Sequence, residues 1–211
     1  MGRGAFTGQA AKAEVTEAIR AIENVTSAEV VVAVRPSSGH YRHTDYLVGA
    51  IFSFVALLVF LFDPEHEFSL EWMPFDSVVA FVLGAVLSAN LAPLRRLLTS
   101  RKLMRTNVAT AAKGAFVDLA VARTSGRTGI LVYISMLEKR VEVVPDVGVD
   151  RAVLGATFGD AIAALDTAVR RGPSLPKFLD ALRSLGPILD KVLPRRENDV
   201  NELPDEPSTS A

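Results

Sequence analysis

Residues 46–62 read YLVGAIFSFVALLVFLF, and residues 77–94 read SVVAFVLGAVLSANLAPL. Neither stretch contains a charged side chain. A helix needs about 20 mostly apolar residues to cross the hydrocarbon core of a bilayer, and roughly 17 is the lower limit. The two apolar stretches predict two membrane-spanning helices, and the short separation of residues 63–76 predicts that these helices form a hairpin.

The charged residues around this hairpin are unevenly distributed. The loop between the spans has no Lys or Arg, and its acidic residues are Asp63, Glu65, Glu67, Glu71 and Asp76. The flanks carry the basic residues Arg35, Arg42, Arg95, Arg96, Arg101, Lys102 and Arg105. Since basic flanks stay in the cytoplasm, we expect both termini and the soluble part to be cytoplasmic.

The polar groups within the spans favour an anchor over a transport path. They are Asn90, a few serines, two glycines and Pro93, and one Asn between helices is typical of a packing hydrogen bond. The first 45 residues carry charges throughout, so we expect the span from Tyr46 onward to act as the targeting signal. A hairpin buried in a soluble core would need more protein mass than this chain has.

Composition excludes several classes of function. The chain has 211 residues, 23 basic and 24 acidic side chains and a net charge of −1, which argues against nucleic-acid binding. It has no cysteine, which excludes disulfides and thiolate sites. There is no Gly-rich phosphate loop, nucleophile elbow or Ser, His, Asp triad, so the familiar enzyme classes are disfavoured.

Outside the hairpin, the hydrophobic pattern predicts a sheet with helices around it. Thr7 is a candidate cap for a first helix that ends near Asn24. Two nearly continuous apolar runs predict buried parallel strands, and a third strand is expected to pair with the second as a hairpin. The predicted strands are Ala28–Val34, Gly129–Ser135 and Val141–Val144, and the later helices are expected over residues 103–122, over 150–170 and from Ser174 with an interruption at Gly186. The three prolines and scattered charges after Leu193 predict a mostly disordered tail.

Ligands of parallel sheets collect beyond the carboxyl ends of the strands, which here means residues 35–43 and 135–140. The basic residues in these segments are candidates for binding phosphate groups, or they are ordinary solvated side chains: Arg35, Arg42, Lys139 and Arg140. His40 and His43 lie in a Gly and Ser segment without a third ligand nearby, so we expect a surface role for them and not zinc binding.

Carboxylates near strand ends are the candidates for holding calcium or activating water: Glu29, Glu138, Asp146 and Asp150. For Asp146 and Asp150, the alternative is a turn in which one of them caps the following helix. Arg127 is a candidate anion ligand, or else it pairs with a carboxylate beside Glu29.

Four segments resemble the TPM domain, a family also named after a thylakoid lumen protein. They are Thr26–Glu29 with its valine strand, Arg127–Ser135, Glu138–Glu142 and Asn201–Asp205. The branch resembled is the bacterial one with a membrane hairpin after the first strand. The resemblance implies a three-layer α/β/α sandwich attached to the bacterial inner membrane. A phosphatase activity has been proposed for a plant branch of this family, and some relatives bind calcium.

Together these observations predict an α/β chain in four parts. Residues 1–45 and 99–193 form the TPM-like domain, 46–98 the hairpin with its acidic loop, and 194–211 the tail. The predicted function is an interaction or quality-control adaptor for membrane proteins, and the alternative is a calcium-dependent, phosphatase-like hydrolase. Expected partners are the bilayer and either a membrane protein or a second copy of the chain.

Overall fold

The computed structural model describes residues 4–63, 66, 68–198 and 200–209 of this mixed α/β chain. Residues up to Ser38 and from Arg105 onward form one compact unit, the α/β unit, and Gly39–Met104 form another, the hairpin unit. The strands are β1 (Glu29–Arg35), β2 (Gly129–Ser135), β3 (Arg140–Pro145) and β4 (Ser208–Thr209). The helices are α1 (Gly4–Thr7), α2 (Gln9–Glu23), α3 (Arg42–Phe62), α4 (Met73–Asn90), α5 (Ala92–Leu98), α6 (Arg101–Asp118), α7 (Arg151–Arg170), α8 (Leu175–Arg183) and α9 (Leu185–Asp190), with a 3₁₀ turn at Val121–Arg123.

The sheet has the strand order β3-β2-β1-β4. Strands β1 and β2 are parallel, with Glu29 opposite Gly129 and Arg35 opposite Ser135, which confirms the predicted parallel pair. Strand β3 returns antiparallel to β2, as its short connection predicted. All residues of β2 are buried, and this explains its uninterrupted apolar sequence.

Each of the two central strands contributes side chains to two separate apolar clusters. In β1, the side chains at positions 30, 32 and 34 join a cluster formed with α2, α7, α8 and α9. Those at positions 31 and 33 join a second cluster with α6. Because side chains alternate between the faces of a strand, the two clusters lie on opposite faces of β1.

The N-terminal helix begins later than the sequence predicted. Thr7 ends the short helix α1, and α2 begins at Gln9 with Gly8 as its N-cap. The reason is Phe6, which is buried edge-to-face against Phe178 with ring centroids 5.3 Å apart. This contact holds α1 against α8, and a break at Gly8 lets α2 take its own direction.

The tail differs from the predicted disorder. Leu203 is buried in the second cluster, and β4 pairs in parallel with β1 at residues 208 and 209. Burial of Leu203 and backbone pairing offset the entropy cost of ordering these residues. Asp199, Ser210 and Ala211 lie outside the described residues.

The long helices of the hairpin unit pack closely against each other. A Cβ atom added at Gly49 of α3 would lie 2.7 Å from the carbonyl oxygen of Phe81 in α4, so only glycine permits this approach. The second predicted span is shorter than expected, because α4 ends at Asn90 and α5 begins at Ala92. Pro93 explains the break, since it has no N–H to continue the hydrogen bonds of α4 and its ring would clash with the carbonyl group four residues earlier, whereas proline is tolerated in the first turn of α5.

Three helices are long and apolar enough to cross a membrane by length and composition: α3, α4 and α7. In α3 and α4 only 17% of the most apolar window is buried. In α7 the share is 33%, and its buried side chains belong to the first apolar cluster of the α/β unit. Asp150 caps α7 by accepting a hydrogen bond from the backbone N of Ala152, which confirms one of the two predicted caps.

Candidate functional site

The seven candidate residues lie at opposite ends of the sheet. Because β1 and β2 are parallel and in register, their amino ends form one edge, the amino edge, and their carboxyl ends form the carboxyl edge. The seven residues of β2 separate these edges by about 20 Å. Glu29, Arg127, Asp146 and Asp150 belong to the amino edge, and Arg35, Glu138 and Arg140 to the carboxyl edge. Glu138 therefore cannot share one ion with Asp146.

At the carboxyl edge, the Glu138 carboxylate lies in a buried polar network. Its Oε1 accepts a hydrogen bond from the backbone N of Ser38 at 2.9 Å, and its Oε2 accepts one from Ser135 Oγ. Ser38 Oγ donates to Ser135 Oγ at 2.6 Å and lies 3.1 Å from the Tyr133 hydroxyl. Burial raises the pKa of Tyr133, although its hydrogen bond with Ser38 and the charge of Arg35 oppose the shift. The network fixes the backbone at Ser38, where the chain leaves the α/β unit.

We predict that Glu138→Ala lowers the free energy of unfolding by about 2 kcal/mol, because the Ser38 amide and Ser135 hydroxyl lose a buried acceptor. Chemical denaturation followed by circular dichroism measures the change. Glu14→Ala, on the exposed face of α2, is the control and should change stability by less than about 0.5 kcal/mol. Equal stability of the two variants would contradict a structural role for Glu138.

Two of the four basic residues predicted to bind phosphate groups, Arg35 and Arg140, contact other parts of the α/β unit. Arg35 donates from Nη1 to the backbone oxygen of Ser208 at 2.8 Å and from Nη2 to Ser208 Oγ at 3.1 Å. Arg140 forms an ion pair with Asp166 of α7 at 3.8 Å. Arg35 thus holds β4, and Arg140 links β3 to α7.

At the amino edge, Arg127 pairs with Asp146. Arg127 Nε lies 2.8 Å from Asp146 Oδ2, and its Nη2 donates to Oδ1 at 3.0 Å. Asp146 Oδ1 also accepts a hydrogen bond from the backbone N of Val147 at 2.8 Å. A guanidinium this close opposes a cation at Asp146, so the geometry does not support the calcium predicted there. Among the described residues, no three His, Cys, Asp or Glu side chains are placed to hold a metal ion.

Two acidic residues that the sequence analysis missed, Glu23 and Asp205, lie beside Glu29 at the amino edge. Glu23 Oε1 accepts a hydrogen bond from the backbone N of Val30 at 3.0 Å, and Glu29 Oε2 accepts one from the backbone N of Leu203 at 3.2 Å. Asp205 accepts a hydrogen bond from Arg20 Nε at 2.7 Å. Two signals in the sequence point to this arrangement: Glu23 precedes β1 by six residues, and Asp205 belongs to a segment that carries the TPM resemblance.

Two carboxyl groups of this cluster, those of Glu23 and Asp205, have pKa values shifted in opposite directions. Burial raises the pKa of Glu23 to about 8, and the negative charges of Glu29 and Asp205 add to the effect, whereas the hydrogen bond from Val30 opposes it. Burial acts on Asp205 in the same direction, but its hydrogen bonds with Arg20 and Asn201 outweigh burial and lower its pKa. Glu23 is therefore protonated and Asp205 ionised at neutral pH.

We expect the stability of the chain to fall as pH rises from 4.5 to about 8, and the Glu23 contribution to level off above that range. Folded Glu23 keeps its proton in this window whereas the unfolded residue has lost it, so rising pH favours unfolding. Denaturant titrations of the full chain in detergent at several pH values measure the slope. Glu23→Gln should flatten it, and an unchanged slope in that variant would assign the effect to another group.

Two open clefts flank Glu29 at this edge. One, of about 180 Å³, is lined by Glu29, Ser125, Thr128 and Glu202 together with residues of the tail. The other, of about 240 Å³, is lined by Arg20, Glu23, Glu29, Arg195 and Asn201. Most of the residues that line them are polar, and the tail forms one side of each. They can hold water or a small polar ligand.

Comparison with known proteins bears on the fold alone. No model of a protein family and no curated protein matches the chain. The chain is similar to the NMR structure of the BA42 protein from the psychrophilic bacterium Bizionia argentinensis, with a TM-score of 0.56 and 16% sequence identity. The match covers 94% of this chain and 92% of that one. At this identity the similarity shows a shared mixed α/β fold.

Proposed function

We propose that the chain is a TPM-type α/β/α sandwich anchored in the bacterial inner membrane by a two-helix hairpin, and that it acts as an adaptor for membrane proteins. The main support is the surface of α3 and α4, where large apolar side chains face outward. Phe54 and Leu83 are each 61% exposed, and Phe62 is 76% exposed. Such a surface is stable in lipid and costly in water.

The charges at the ends of the hairpin support the proposed orientation. The segment between α3 and α4 is acidic, whereas the residues before α3 and after α4 are basic. By the positive-inside bias, the α/β unit then lies in the cytoplasm. Apolar clusters on both faces of the sheet support the sandwich.

The adaptor role is supported by the contacts of the predicted site residues. Arg35, Arg127 and Arg140 contact groups within the α/β unit, and Glu138 accepts hydrogen bonds from Ser38 and Ser135. These contacts stabilise the fold. A domain of this kind, held at the membrane, acts by binding the proteins around it.

Two experiments test the proposal. An alkaline phosphatase reporter inserted after Ser69 should be active in the periplasm, and the same reporter placed after the C-terminus should be inactive. In vivo photocrosslinking from the exposed side of the α/β unit should recover integral membrane proteins. An inactive loop reporter would overturn the topology, and crosslinks to soluble proteins alone would overturn the adaptor role.

The alternative function is a calcium-dependent, phosphatase-like hydrolase. The negative charges of Glu29 and Asp205, which act on Glu23, favour it, but these three side chains would have to move to hold a metal ion together. A cation among these carboxylates would release the Glu23 proton. Thermal melting of the full chain with calcium tests the idea, because a ligand at 100 times its dissociation constant stabilises the folded state by about 2.7 kcal/mol. No rise in the melting temperature of the unaltered chain with calcium, or an equal rise in Glu23→Gln, would rule out this site.

A further inference from the structure

The short helix α5 is basic and amphipathic, and it follows α4 after a single residue, Leu91. It reads APLRRLL, and the segment from Ala92 to Lys102 carries four basic residues and no acidic one: Arg95, Arg96, Arg101 and Lys102. It therefore lies where a membrane-spanning helix would emerge at the bilayer surface.

The two adjacent arginines of α5 have different surroundings. Arg95 donates from Nε to Asp45 Oδ1 at 2.9 Å and also forms an ion pair with Oδ2, so the Asp45 carboxylate balances its charge within the hairpin unit. Successive residues of a helix point about 100° apart, which turns Arg96 away from this pair. Within the part of the chain that the structure describes, Arg96 and Arg101 take part in no ion pair.

Apolar side chains accompany these charges. Leu97 is 80% exposed, Leu91 is 43% exposed and Leu98 is 39% exposed. Leucines beside arginines on a short helix fit the boundary between lipid headgroups and acyl chains, where each type of side chain meets its preferred surroundings. If α5 were surrounded by water alone, the exposure of Leu97 would not stabilise the chain.

We propose that α5 and the first turn of α6 bind anionic phospholipids of the cytoplasmic leaflet. Arg96 and Arg101 bind the headgroup phosphates, and Leu97 inserts among the acyl chains. This inference rests on the proposed membrane anchoring and adds which lipids surround the anchor. Charge complementarity and continuity with α4 identify the partner as a phospholipid of the bilayer that holds the hairpin.

The test uses the full chain reconstituted in vesicles of phosphatidylcholine mixed with phosphatidylglycerol. Electron paramagnetic resonance compares how strongly spin-labelled forms of the two lipids associate with the protein. We expect a preference for phosphatidylglycerol, and we expect Arg96→Gln and Arg101→Gln each to lower it by about fivefold. This factor corresponds to the roughly 1 kcal/mol that a basic side chain contributes near an anionic surface.

Arg171→Gln combined with Arg183→Gln is the matched control, because it removes two exposed positive charges from the ends of α7 and α8. The control should keep the full preference, and an equal loss would assign the effect to net charge and overturn the inference. Extraction of the vesicles with alkaline carbonate separates the two proposals. A chain released by carbonate overturns the anchoring and this inference, whereas a retained chain without lipid preference overturns only the inference.

Discussion

Replacing Gly129 with alanine should destabilise the α/β unit by about 3 kcal/mol or more. A Cβ atom at this position would lie 2.2 Å from the backbone oxygen of Val121 and 2.9 Å from its side chain. Gly129 is the first residue of β2, and its backbone pairs with Glu29. The strand cannot move away from the 3₁₀ turn without breaking the central pairing of the sheet, so the overlap becomes a loss of stability. Thermal melting followed by circular dichroism measures the effect.

Gly114→Ala is the matched control for this prediction. Gly114 lies within α6, and a Cβ atom added there would contact nothing within 4 Å. Alanine in an open helical position should stabilise the chain by about 0.5–1 kcal/mol. We therefore expect alanine to lower the stability at position 129 and to raise it at position 114. A loss of stability in both variants would show that the close contact with Val121 is not the cause of the effect at Gly129.

Asp45→Asn should loosen the hairpin unit by about 3 kcal/mol, because it leaves Arg95 without its carboxylate. The Asp45 side chain is 9% exposed and Oδ1 accepts hydrogen bonds from Arg95 Nε at 2.9 Å and Ser88 Oγ at 2.8 Å. These contacts join α3, α4 and α5 at one end of the hairpin. Limited proteolysis in detergent micelles, with cleavage between α4 and α5 as the readout, should show faster cutting.

The double variant with Asp45→Asn and Arg95→Gln isolates the pair. Removing both charges abolishes the unpaired guanidinium, so the double variant should be more resistant to proteolysis than Asp45→Asn alone. Ser88→Ala removes one hydrogen bond to the Asp45 carboxylate but leaves the ion pair with Arg95, so it should have the smallest effect, about 1.5 kcal/mol. Additive losses in the double variant would mean that the two charges do not interact.

Local patterns in the sequence predicted the centre of the sheet. The uninterrupted apolar runs of β1 and β2 predicted two buried parallel strands, because a strand covered on both faces has apolar side chains at every position. The end of α4 before Pro93 does not follow from such a pattern. A run of apolar residues defines a candidate span, whereas backbone geometry at one proline decides where the helix ends.

The candidate site was harder to predict because its partners are distant in the chain. Glu29 accepts a hydrogen bond from the backbone N of Leu203, and Arg35 donates one to the backbone oxygen of Ser208. The tail therefore contacts both ends of β1. The prolines and scattered charges of the tail predict disorder, because composition does not indicate that one apolar residue, Leu203, is buried. Ion pairs such as Arg127 with Asp146 also depend on which strand ends meet, and this is known only once the sheet is formed.

The central pairing of the sheet joins residues 100 positions apart, from Glu29 to Gly129. At a synthesis rate of about 5–20 residues per second, at least several seconds pass between the synthesis of β1 and that of β2. Its other neighbour, β4, follows much later, at Ser208–Thr209. β1 precedes both of the strands that it pairs with, so its apolar side chains and backbone groups stay exposed longest during synthesis. We therefore expect a chaperone that acts on nascent chains to bind β1 in preference to the other strands.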